Sequence, residues 1–211
     1  MQKQNTLFYL FFLGLCIPLL GWQLFVPQMD ITLWINARHQ AALDAISIYG
    51  TFLGDGWFIV SLSLILYFFK PRLAITILLT YLLSSGITQG LKHFAFPQFH
   101  RPLWHLQANP AISYYSIPGI EQAFNFSFPS GHTTSAFAFF GILYFFNKSF
   151  LYKITWLSLA FFTAFTRIYL LQHFLIDTTV GAFIGFSTAY FVYTFWLEKG
   201  KLDFIFKKLQ A

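Results

Sequence analysis

Residues 124–140 read FNFSFPSGHTTSAFAFF. From Thr133 onward the stretch is small or apolar and runs on through GILYFF to Phe146, the composition of a helix in an apolar surround. Its head differs: Pro129, Ser130, Gly131 and His132 place a turn, a hydroxyl, a bare backbone and an imidazole in front of that helix. The first N–H groups of a helix have no partner within it, and its dipole attracts negative charge there. Whether similar apolar runs recur along the chain decides the fold.

They do recur. The 211 residues are 57% hydrophobic, 22% aromatic and 9% charged, against roughly 25% charged in an ordinary soluble domain. Apolar runs at about 6–26, 54–69, 73–91, 131–146, 154–171 and 176–197 reach or approach the ~20 residues that span a bilayer. The second and fourth are short, so their ends are expected to extend by a turn, or flanking Lys to snorkel. Residues 29–50, MDITLWINARHQAALDAISIYG, mix apolar and charged positions at helical spacing and read as one amphipathic helix on the membrane surface. The expectation is an all-α polytopic membrane bundle of six transmembrane helices plus this interfacial helix, forming one domain over 1–211. The first run lacks a clean cleavage site and reads as a retained helix rather than a signal peptide. Cys16, the one cysteine, has no internal partner.

Alternation of the spans gathers Lys3, Lys70, Arg72, Lys148, Lys153, Lys199, Lys201, Lys207 and Lys208 on one side, which the positive-inside rule makes cytoplasmic. The outer side keeps Arg38, Lys92, Arg101 and Arg167, and all six His fall on or near it. The polar segment 92–128, rich in His, Pro and aromatics, is long enough to expect a function of it. Asp55, ahead of the second span, reads as a helix cap, and Trp104, Tyr114 and Tyr115 as interfacial aromatics. His93, His100 and His105 follow no zinc-ligand spacing.

Four polar clusters meet the outer face where spans end: Lys92; His100-Arg101-Pro102; PSGH at 129–132; and TRIYLLQHFLID at 166–177, carrying Arg167, His173 and Asp177. Lys92, Arg101 and Arg167 suit a phosphoryl dianion, the two arginines by forked contacts. Ser130 and Gly131 lie at a helix start where backbone N–H groups seat an anion, and Gly131 lets the backbone come close. Two imidazoles supply a nucleophile and a proton donor. Asp177, four residues after His173, is placed to fix its tautomer, to cap the sixth span, or both.

The order K-x8-RP, PSGH, TR-x5-H-x3-D resembles the three-part signature of the type 2 phosphatidic acid phosphatase superfamily, which shares its site with vanadium haloperoxidases. That pattern is usually written K-x6-RP, PSGH, SR-x5-H-x3-D, so this chain departs in the Lys92–Arg101 spacing and in Thr166. The resemblance implies a metal-free, cofactor-free integral membrane lipid phosphatase. His173 would be the nucleophile, Asp177 its partner and His132 the general acid and then base. Lys92, Arg101, Arg167, Ser130 and Gly131 would bind phosphate. Expected partners are a phosphorylated membrane lipid and the bilayer, not nucleic acid. The expected location is a bacterial inner membrane, with the site facing the periplasm or extracytoplasmic side. Undecaprenyl pyrophosphate or a related envelope lipid is favoured over phosphatidylglycerol phosphate, phosphatidic acid and lipid A phosphates. A lipid phosphotransferase and a non-catalytic lipid-binding or transport protein are the rival readings.

Overall fold

The computed structural model of the protein describes residues 2–121 and 123–198. The regular structure among these residues is helical, without strands. Nine α-helices follow in order: α1 Gln2–Gln23, α2 Gln28–Asn36, α3 Ala41–Gly50, α4 Gly56–Tyr67, α5 Pro71–Gly90, α6 Pro102–Ala108, α7 Gly131–Phe146, α8 Phe150–Tyr169 and α9 Leu175–Phe191. A 3-10 turn at Thr51–Gly54 leads into α4, and π-helical turns at Leu91–Ala95 and Val192–Glu198 extend α5 and α9. Lys199, Lys201, Lys207 and Lys208 lie outside the described residues.

Among the described residues, three helices are long and apolar enough to cross a bilayer: Lys3–Gln23, Pro71–Ala95 and Leu175–Phe195. Ala41–Gly54 and Gly56–Tyr67 make a fourth if taken as one span bent by 59°. This corrects the expectation for residues 29–50, which form two helices rather than one surface helix. The chain breaks at 37–40, and α3 continues through the 3-10 turn toward α4. The break falls at Arg38, which folds back onto α2, its guanidinium 3.7 Å above the Trp34 ring. Taken as one span, this pair would lengthen the second expected span by the helix that precedes it.

The fourth expected span gains no extra turn. Sixteen residues of α7 rise about 24 Å, short for a bilayer, and the packing explains why. Every residue from Thr133 to Ile142 is buried, with α5, α8 and α9 packed around the helix. A helix that is apolar all round belongs in the middle of a bundle. By contrast, Leu7, Leu10, Phe11, Leu15 and Ile17 of α1 are exposed, the face that a bilayer covers. Pro18 is accommodated inside α1. Several buried hydroxyls are satisfied within their own helices, as Thr80 donates to the Thr76 carbonyl at 2.7 Å and Thr188 to that of Ile184 at 2.8 Å, whereas Ser47 Oγ is buried without a partner.

The helix directions position the site. α4, α7 and α9 start at one end of the bundle, while α5 and α8 finish there. Lys70, Arg72, Lys148 and Lys153 fall at the turns of the opposite end, where Lys153 also donates to Asn5 at 2.9 Å.

α7 and α9 touch backbone to backbone. A Cβ at Gly185 would lie 2.2 Å from the Thr134 carbonyl oxygen and 2.9 Å from the Ala138 nitrogen. Backbone atoms of a packed helix cannot give way by that much. Gly185→Ala should therefore force α9 off α7 and destabilise the protein by at least about 1–3 kcal/mol. A lowered thermal midpoint of the detergent-solubilised protein is the readout, and an unchanged midpoint would show that the helices do not meet here.

Candidate active site

All eight residues singled out from the sequence come to the near end of the bundle, most of them around one cavity. Its volume is about 560 Å³, and its lining includes Lys92, Arg101, Gly131, His132, Arg167 and His173 together with Asp55 and Gln172.

Each cation is held by neutral oxygen. Lys92 sits in the π-helical turn after α5 and donates to the Phe126 carbonyl at 2.9 Å. A π turn takes up one residue more than an α turn, which absorbs part of the longer Lys92–Arg101 spacing. Arg101 precedes α6, whose first residue is Pro102, a favoured helix start. Its Nε donates to the Asn125 carbonyl at 2.9 Å and its Nη1 to Gln172 Oε1 at 2.8 Å. Arg167, in the last turn of α8, is buried; its Nη1 donates to Thr51 Oγ1 at 2.7 Å and its Nη2 to Gln172 Oε1 at 3.4 Å. Its Nε is buried with no hydrogen-bond partner. Among the described residues, no carboxylate lies within ion-pair distance of these three side chains.

His173 follows α8 in a turn that Leu171 makes with a φ of 56°. Its backbone N–H donates to the Arg167 carbonyl at 3.1 Å. The ring is buried, with Nδ1 3.4 Å from Asp177 Oδ2 and 3.5 Å from Ser127 Oγ. Asp177 stands in the first turn of α9, and its Oδ2 also accepts from the Phe174 backbone N–H at 3.0 Å and from Ser127 Oγ at 2.5 Å. It thus ties down the helix start and faces the imidazole at once. Burial, followed by the charges of Arg101, Arg167 and Lys92, holds the His173 imidazole well below the usual histidine range, which favours its neutral form.

His132 stands in the first turn of α7, its Nε2 3.9 Å from Asp55 Oδ2. Asp55 does cap α4, its Oδ1 accepting from Trp57 N–H at 2.8 Å, and its second oxygen is the one facing His132. Gly131 borders the cavity, and beyond its chain neighbours and its own helical turn nothing lies within 4 Å of where its Cβ would be. Ser130 is buried, outside the cavity lining, its hydroxyl accepting from Thr133 Oγ1 at 3.0 Å. It neither caps α7 by its side chain nor faces the open space; its backbone N–H donates to the Asp177 carbonyl at 3.0 Å, joining the heads of α7 and α9.

His93 and His100 lie against aromatic rings, His93 beside Phe126 and His100 stacked on Trp104 at 4.3 Å. Among the described residues, no three His, Cys, Asp or Glu side chains form a group suited to a metal ion. Thr51, Ser127 and Gln172 were not evident from the sequence. Thr51 and Ser127 carry no motif and only the fold brings them to the charged side chains, while Gln172 lies between Arg167 and His173 at a position the motif leaves open.

The chain that carries this arrangement has counterparts among known proteins. A family model described as PAP2 superfamily matches residues 73–201, more than half of the chain. The chain belongs to the PAP2 superfamily. It is similar to the bacitracin transport permease protein BcrC of Bacillus licheniformis, 37% identical over 90 residues, which is 43% of this chain and 42% of that one. The match thus spans about two-fifths of that curated relative's length. Among solved structures, LpxE of Aquifex aeolicus superposes with a TM-score of 0.66 at 26% identity, covering 79% of this chain and 94% of that chain. A transmembrane PAP2 type phosphatidylglycerolphosphate phosphatase from Bacillus subtilis gives a TM-score of 0.68 over 92% of this chain and 96% of that chain. At 21% identity, that second likeness is one of fold. With its apolar helices and these membrane relatives, this PAP2 chain is a multi-pass membrane protein.

Proposed function

We propose that this PAP2 protein is a lipid phosphatase that hydrolyses a phosphate monoester or pyrophosphate of a membrane lipid. One observation carries the reading: Lys92, Arg101 and Arg167 converge on one cavity, are held only by neutral acceptors, and Arg167 keeps a buried N–H unpartnered. Burying cations without compensating charge is costly unless a ligand supplies it, and a phosphoryl dianion does so.

The chemistry follows from the two imidazoles. With Nδ1 of His173 turned to Asp177, Nε2 is the nitrogen left to attack phosphorus. The P–N bond forms as the P–O bond to the lipid breaks, and His132 gives its proton to the departing oxygen. Water then attacks phosphorus, His132 takes its proton, the P–N bond breaks, and inorganic phosphate leaves with His173 restored. Roles in phosphate binding fall to the three cations and to the open backbone at Gly131. Ser130 supports that backbone from behind.

Six membrane-crossing helices are part of this reading, with α7 and α8 completing the set and α2 lying at the interface. So are a bacterial inner-membrane location, a site on the periplasmic or extracytoplasmic side, and a metal-free mechanism. The cationic turns at the end of the bundle opposite the cavity support that orientation. Undecaprenyl pyrophosphate or a related envelope lipid is the favoured substrate. The name of the BcrC relative favours a second reading, a transport protein that uses the same anion site without turnover.

Release of inorganic phosphate from a panel of polyprenyl, glycerophospholipid and lipid A phosphates, with and without EDTA, tests the proposal. Release that persists in EDTA is expected, greatest with the polyprenyl pyrophosphate. No release from any member would leave the transport reading, and loss in EDTA restored by one divalent metal would overturn the metal-free mechanism.

A further inference from the structure

Two guanidiniums meet at the cavity wall with no carboxylate in ion-pair distance among the described residues. Arg101 comes from the loop before α6 and Arg167 from the end of α8. The side chain that joins them is Gln172. Its Oε1 accepts from Arg101 Nη1 at 2.8 Å and from Arg167 Nη2 at 3.4 Å. Its Nε2 donates to the Glu121 carbonyl at 3.1 Å, which decides which end of the amide faces the arginines. Gln172 is 4% exposed and its backbone N–H is fixed on the Arg167 carbonyl at 3.0 Å, so the amide has little freedom to turn away.

We propose that Gln172 is a positioning residue, a neutral bridge that sets both guanidiniums at the phosphate seat without cancelling their charge. The inference rests on the reading that this cavity receives a phosphorylated lipid. The residue type follows from the geometry. A carboxylate of the same shape would hold two arginines more strongly, but it would neutralise them before substrate arrived and could not donate to Glu121. An alkyl chain would leave two like charges side by side with nothing between them. Only a primary amide offers an acceptor to the pair, a donor to the carbonyl behind and no net charge. The bridge also stands next to His173 in the chain, so the turn that places the nucleophile places the cations with it.

The test uses the full-length protein purified in detergent, with Gln172→Glu and Gln172→Leu beside the wild type. Inorganic phosphate binding is measured by calorimetry, kcat and KM by phosphate release, and folding by thermal midpoint. Hydrogen bonds to charged groups scale to roughly 10- to 100-fold in equilibrium, so Gln172→Glu should weaken phosphate binding and raise KM by at least about 10-fold, with a smaller change in kcat. Gln172→Leu keeps the charge but loses the aim, so its larger loss should fall in kcat. A merely structural residue would move the midpoint and leave this split absent. If Gln172→Glu binds phosphate as tightly as the wild type, the proposal is overturned. If the wild type binds phosphate but releases none from any lipid, the phosphatase reading fails while the calorimetric comparison still decides the bridge. Should Gln172→Leu fail to fold, the glutamate variant decides alone.

Discussion

His173→Ala should lower kcat on the order of 10⁴-fold or more while phosphate still binds. In the proposed mechanism this imidazole forms the bond to phosphorus, and its removal leaves Lys92, Arg101 and Arg167 where they are. The variant should also fold. Asp177 keeps its bonds from Ser127 Oγ at 2.5 Å and from the Phe174 backbone N–H at 3.0 Å, so the buried carboxylate is not orphaned. Burial and the nearby cations hold His173 below the ordinary imidazole range, which favours the unprotonated ring that the proposed attack requires. The decisive pair of measurements is phosphate release and calorimetric phosphate binding on the same preparation. Turnover that persisted in the variant would remove His173 from the chemistry.

The next largest effect is expected for Arg167→Lys, a loss of about 10²–10³-fold in kcat/KM. The substitution keeps the charge, so it tests geometry alone. Arg167 spreads its donors over Thr51 at 2.7 Å and Gln172 at 3.4 Å and retains a buried, unused Nε–H. An ammonium on a shorter fork-free stem cannot reach the threonine, meet the amide and face the ligand together. Steady-state kinetics on both proteins reads this out, and near-wild-type kcat/KM in the lysine variant would mean that positive charge alone suffices. The effects of Arg167 and Gln172 substitutions should be non-additive, because the two side chains share a hydrogen bond.

The membrane class of this chain was legible from composition, and the polar clusters at 92, 100–102, 129–132 and 166–177 were legible as residues that a helical bundle would gather. The fourth apolar run even kept its bounds, because Gly131 and Asn147 bracket it chemically as well as structurally. What escaped reading depends on contacts across the chain. Thr51 meets Arg167 over 116 positions, and Ser127 meets Asp177 over 50. Neither hydroxyl differs in sequence from the many that merely bond back to their own helix. The break between α2 and α3 was hidden for another reason. Helical spacing continues across Arg38 and His39, so periodicity alone does not reveal where the axis turns. The α6 helix inside the long polar segment did have a sign, Pro102 directly after Arg101, which suits a first helical position.

α7 carries His132 on its first turn and is also the helix around which the others are arranged. Parts of a protein that open easily are those with few buried contacts, and α7 has the opposite character. The imidazole that donates and takes up the proton in the proposed mechanism is therefore anchored in the last element that would come apart. On heating, activity has no soft hinge at this helix to lose first. Inactivation and global unfolding should trace one curve, and a catalyst that survives long service in a membrane would be built this way.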